Sequence, residues 1–63
     1  MNNNFRVILA EQRKTVADIH NETGISKYTL TNIYYERTKN PGLETLKKIA
    51  EALNVTMTEL LGF

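Results

Sequence analysis

The sequence predicts an all-α fold, a compact bundle of five short helices. Three observations carry that reading. Leucine and isoleucine recur at three- and four-residue steps along the 63-residue chain. Residues that open helices and residues that stop them alternate at regular intervals. No segment shows the period-two alternation of a half-buried strand.

The first helix opens at one of Asn2, Asn3 or Asn4, any of which can cap it. Phe5, Ile8 and Leu9 form its apolar stripe, which fades near Arg13. Thr15 and Asp18 have the spacing of a capping box and begin the second helix, with Val16 and Ile19 inward. Gly24 ends it, because glycine takes the left-handed backbone that closes a last turn. Ser26 caps the third helix, which runs from Lys27 to about Tyr35. The stretch "TKNPG" then breaks the chain, since Pro41 disfavours helical geometry at Asn40. Leu43, Leu46, Ile49, Ala50 and Leu53 define the fourth helix, with Glu44 and Lys48 placed as an ion pair on its wet side. Asn54 stops it, and "TMTE" at residues 56–59 is a full capping box that opens the fifth, carrying Leu60 and Leu61.

The totals bound what this bundle can be. A chain of this length makes one domain, expected to span residues 1–63. It holds no cysteine and one histidine, so neither a disulfide nor a thiolate metal site can staple it, and no metal or cofactor is expected. His20 reads as a packing or hydrogen-bonded residue. No paired acid and base, nucleophile motif or glycine-rich phosphate loop is present, so an enzyme is not expected. Nor is a small-molecule substrate. No apolar run approaches the roughly 18 residues of a membrane span, and "MNNNFR" lacks the pattern of a secretory signal, so a cytoplasmic protein is expected. Net charge is only +1, but its placement is uneven: residues 24–41 carry +2 and the remainder −1. The small basic excess coincides with an odd segment. The third helix has Leu30 and Ile33 for the core, yet aromatic Tyr28 and Tyr35 fall on its other side.

Helices two and three are separated only by "GIS", the short link of a helix-turn-helix unit, with Ile25 as a plug between them. The stretch "VADIHNETGISKYTLTNIYYERTKNPGLETLKKIAEALNVTMTELL" resembles the Cro/C1-type (XRE family) helix-turn-helix domains of phage and bacterial repressors, the lambda-repressor-like fold. The most specific parts are "TGIS" with the following Thr29 and Leu30, and "LETLKKIAEALNV". "TNIYYERTK" is similar to small stand-alone members. Four positions differ from the commoner pattern. Val16 stands where a glutamine often touches phosphate, and His20 where a small alanine is usual. Leu9 and Tyr34 replace an arginine–glutamate pair together, so no lone buried charge is left.

The resemblance implies a DNA-binding regulator, a repressor that places its third helix in the major groove of an operator. On a helical wheel Leu30, Ile33 and Tyr34 face the core, while Tyr28, Asn32 and Tyr35 cluster opposite, with Thr31 beside them. In this docking mode residues near the helix N-terminus reach base edges. Lys27, Tyr28, Thr31 and Asn32 are therefore the expected base readers: Lys27 for guanine, Asn32 for adenine, and the Thr31 methyl for thymine. Lys39 and Asn40 lie where the family grips the sugar–phosphate strand, with Arg37, Tyr35 and Thr29 nearby. Thr15 and Val16 head the second helix, whose amides can face a phosphate, and Lys14 adds a charge there. A palindromic operator implies a homodimer, with Met57, Leu61 and Phe63 as the expected contact. The alternative is a protein-interaction module that kept the fold and lost DNA binding.

Overall fold

A computed structural model describes residues 3–38 and 40–62. Their helices are α1 (Phe5–Gln12), α2 (Val16–Thr23), α3 (Lys27–Tyr34), α4 (Leu43–Leu53) and α5 (Met57–Leu61), joined by short loops. α2 packs on α3 and α4, α1 on α3 and α5, and α4 on α5. The core draws on every helix: Phe5, Ile8 and Leu9; Ile19; Leu30 and Ile33; Leu46, Ile49, Ala50 and Leu53; and Leu60. Among the described residues no polar side chain is buried, so burial of apolar surface is opposed by no desolvated charge. Among the described residues no helix is long and apolar enough to cross a membrane.

Local chemistry sets the helix starts. Thr15 Oγ1 accepts from the Asp18 N–H at 3.2 Å, and Asp18 Oδ2 accepts from the Thr15 N–H at 2.8 Å, a reciprocal box despite the short acid. Thr56 and Glu59 form the same box with both bonds at 3.0 Å. Thr56→Ala should therefore cost about 1 kcal/mol. In a urea melt the midpoint should fall with an unchanged slope, and an unmoved midpoint would show that packing alone holds α5.

The ends are set by left-handed residues. α1, α3 and α4 close on Arg13, Glu36 and Asn54, at φ 57°, 58° and 55°. In each case the N–H of that residue and the N–H of the next return to the last turn. Lys14 donates to the Leu9 carbonyl, Arg37 to Asn32 and Val55 to Ala50. The left-handed residues donate to Ala10, Ile33 and Glu51. Arginine and glutamate carry a strain there that glycine would not, on the order of 1 kcal/mol each. Gly24, at φ 79°, ends α2 as its sequence position implies.

Three expectations need correction. Asn4 occupies the cap of α1 without a side-chain bond to the helix, while Asn3 Oδ1 accepts from the Phe5 N–H at 2.8 Å. Asn4 instead ties the chain to α5, its N–H donating to the Leu60 carbonyl and its side-chain amide to that of Glu59. Asn2, the third candidate, lies outside the described residues. Leu43 does not join the core and is 73% exposed. Side chains lean toward a helix's N-terminus, so a first-turn residue leans over the preceding loop rather than over a packed turn. Among the described residues the close ion pair is Lys14–Glu22, at 3.3 Å, and not Glu44–Lys48.

Candidate nucleic-acid interface

The turn between α2 and α3 is held rigidly for its size. Thr23 Oγ1 donates to the Ile19 carbonyl and accepts from the Ile25 N–H. His20 Nδ1 lies 2.7 Å from the Ile25 carbonyl oxygen, which gives the lone histidine a structural partner. Ile25 packs half-buried against the core, as the plug it was expected to be. At the start of α3, Ser26 Oγ accepts from the Thr29 N–H and donates to Thr29 Oγ1. The Thr29 side chain is thus part of the cap, with its own hydroxyl hydrogen left for another partner.

α3 then presents two faces. Leu30 and Ile33 are buried, and Tyr34 is half-buried. Lys27 is exposed and Tyr28 is 79% exposed, while Thr31 and Asn32 are half-buried on the outward side. The structure therefore brings Lys27, Tyr28, Thr31 and Asn32 together on one surface. Among the described residues, no hydrogen bond occupies the Asn32 side-chain amide, so its donor and acceptor both remain available.

An aromatic ladder leads away from this face. The Phe5 ring, in the core, meets Tyr34 edge-on with centroids 6.3 Å apart. Tyr34 meets Tyr35 at 4.9 Å, and the Arg37 guanidinium lies 5.0 Å from the centroid of the Tyr35 ring. The final cation–π contact is worth about 0.5–1 kcal/mol at an exposed site and holds Arg37 beside the end of α3. Asn40 is exposed further along the loop. Lys39 lies outside the described residues.

At the start of α2, Val16 is inward, as its place in the apolar pattern implied. Val16 packs half-buried against the core, so only its backbone can face outward as an anion contact. Lys14 Nζ is drawn to Glu22 and to the Ala52 carbonyl at 3.4 Å. In the absence of DNA its ammonium lies between Glu22 of α2 and the C-terminal end of α4. On α5, Met57 and Leu61 are half-buried against this chain's own core, and Phe63 lies outside the described residues.

Sequence reasoning missed Arg6. It lines a groove of about 340 Å³ between α1, the start of α2 and α3, together with Thr15, Val16, Thr31 and Tyr35. The signal was present: Arg6 and Ala10, one turn apart on α1, share the side of the helix beside its apolar stripe.

The chain matches the sequence profile of the Cro/C1-type helix-turn-helix DNA-binding domain over residues 4–63. No curated protein matches it. Its fold is similar to the crystal structure of a candidate DNA-binding protein from Bacteroides fragilis, with a TM-score of 0.81 and 33% identity over 92% of each chain. The chain belongs to the Cro/C1-type helix-turn-helix family, whose members are DNA-binding domains and not enzymes.

Proposed function

We propose that this protein is a sequence-specific transcriptional regulator, acting as a repressor, that places α3 in the major groove of an operator. The observation that supports this most is the division of α3. Leu30 and Ile33 are buried, while Lys27, Tyr28, Thr31 and Asn32 form an outward surface near the helix N-terminus. A major groove about 12 Å wide accepts a helix in this orientation. Lys27 donates to guanine, Asn32 pairs with adenine, the Thr31 methyl meets thymine, and Tyr28 adds ring contact and a hydroxyl. Thr15, the backbone at Val16, Thr29, Tyr35, Arg37, Lys39 and Asn40 contact phosphates and set the register.

A helix-turn-helix unit reads a short half-site, so two copies on a palindromic operator are part of the proposal. The exposed parts of Met57 and Leu61, with Phe63, are the proposed contact between them. The repressor then acts by occluding the site from polymerase.

The test is a fluorescence-anisotropy titration against duplex DNA flanking the protein's own gene, beside a scrambled duplex, at about 50 and 200 mM salt. Tight binding to the native duplex, weak binding to the scramble and a steep salt slope are expected. Equal weak binding to both would overturn the sequence-specific reading and favour a protein partner for the Tyr28–Tyr35 surface.

A further inference from the structure

We propose that the groove between α1, α2 and α3 seats one sugar–phosphate unit of the DNA backbone, with Arg6 as its cation. This rests on the DNA reading above and extends it to a helix that carried no assigned contact. The groove is bounded by residues from three helices, and among them Thr15, Val16, Thr31 and Tyr35 belong to the DNA-contacting surface proposed above. The groove is therefore continuous with the proposed reading face. Leu9, Ala10 and Tyr34 add an apolar lining suited to the carbon face of a deoxyribose. Lys14 also borders the groove, but its ammonium is held by Glu22 and the Ala52 carbonyl. Arg6 is exposed and has no acidic partner among the described residues. It is the uncommitted positive charge of this groove, and a guanidinium matches a phosphodiester with paired, charge-assisted hydrogen bonds.

The occupant follows from that charge. An apolar peptide side chain would leave Arg6 unused at the rim, and an acidic small molecule would not need the adjoining face of α3. A backbone phosphate uses both. Arg6 then contributes affinity for every sequence alike, while α3 supplies the preference.

The experiment compares three full-length proteins: the parent, Arg6→Gln, and Arg13→Gln. Arg13 is an exposed arginine of the same helical region that does not border the groove, so its variant has the same net charge as Arg6→Gln. Circular dichroism first checks that both variants melt like the parent. Anisotropy titrations across salt then give the slope for native and scrambled duplexes. Arg6→Gln should weaken both duplexes by roughly tenfold and lower the slope by about one unit. Native over scrambled preference should be unchanged, and Arg13→Gln should keep the parent slope. An unchanged slope in Arg6→Gln, or equal losses in both variants, would overturn the assignment. A duplex series with single neutral methylphosphonates adds a locating measurement. One position should weaken the parent and leave Arg6→Gln indifferent; equal sensitivity in both proteins at every position would also overturn it. If the parent itself shows no salt-dependent duplex binding, the DNA reading fails before Arg6 is tested, and the groove assignment falls with it.

Discussion

Leu30→Ala is expected to remove most of the protein's stability and leave a large unfolded fraction at room temperature. Leu30 is fully buried and belongs to α3, the helix that also carries the reading surface. Truncating a buried leucine costs about 2–5 kcal/mol, from lost transfer energy and the cavity left behind. A chain of this size has a total stability on the order of 3–9 kcal/mol. It holds no cysteine, so no disulfide can offset the loss. Urea denaturation followed by far-ultraviolet circular dichroism would measure it. The matching control is Tyr28→Ala, because Tyr28 is 79% exposed and its loss should change stability by no more than about 0.5 kcal/mol. A Leu30→Ala protein that melts within about 1 kcal/mol of the parent would mean that the core closes around the cavity. It would also mean that α3 is held mainly by its caps and turn.

Asn32→Ala is expected to leave folding intact and damage recognition. The Asn32 side chain is half-buried on the outer side of α3 and carries no hydrogen bond among the described residues, so its removal strands no buried partner. On DNA the same amide is proposed to pair with one adenine. Its loss should cost about 1–3 kcal/mol against the preferred operator. Binding to duplexes that already lack that base should change little. The two proteins should therefore converge on a duplex substituted at one position and differ elsewhere. Competition binding with a panel of single-base operator variants reads this directly. If Asn32→Ala weakens all duplexes equally, the residue contacts the backbone. If it changes nothing, α3 lies in the groove in another orientation.

The contrast between these two variants follows from the organisation of α3. Eight residues must hold a helix on a core and present a surface to a partner. The 3.6-residue period allows both, because Leu30 and Ile33 project one way while Tyr28 and Asn32 project the other. That division was legible in the sequence, as were the capping boxes at Thr15 and Thr56, the stop at Gly24 and the cap at Ser26. These features depend on residues within four positions of one another, and their physics is local.

Features that depend on distant segments were less legible. The pairing of Asn4 with the end of α5 joins residues separated by more than fifty positions, and no local pattern announces it. Gln12 likewise donates to the Leu53 carbonyl at 2.7 Å, satisfying a backbone group left open at the end of α4. Leu43 shows the converse case. Its spacing matches the apolar stripe of α4, yet it is 73% exposed while Leu46, three residues on, is buried. Lys14 was available to the head of α2 by sequence and is engaged elsewhere by Glu22 and the Ala52 carbonyl.

By itself the sequence determined the helix count, most boundaries, the inward face of each helix and the family, because caps and apolar periodicity act within a turn or two. Tertiary structure alone decided that Arg6 would share a groove with Thr15, Thr31 and Tyr35, and that Tyr34 would meet the Phe5 ring. Those outcomes depend on how three helices approach one another, and that is set by the fit of Phe5, Leu30, Ile33 and Ile49 in a shared core rather than by any neighbour in the chain.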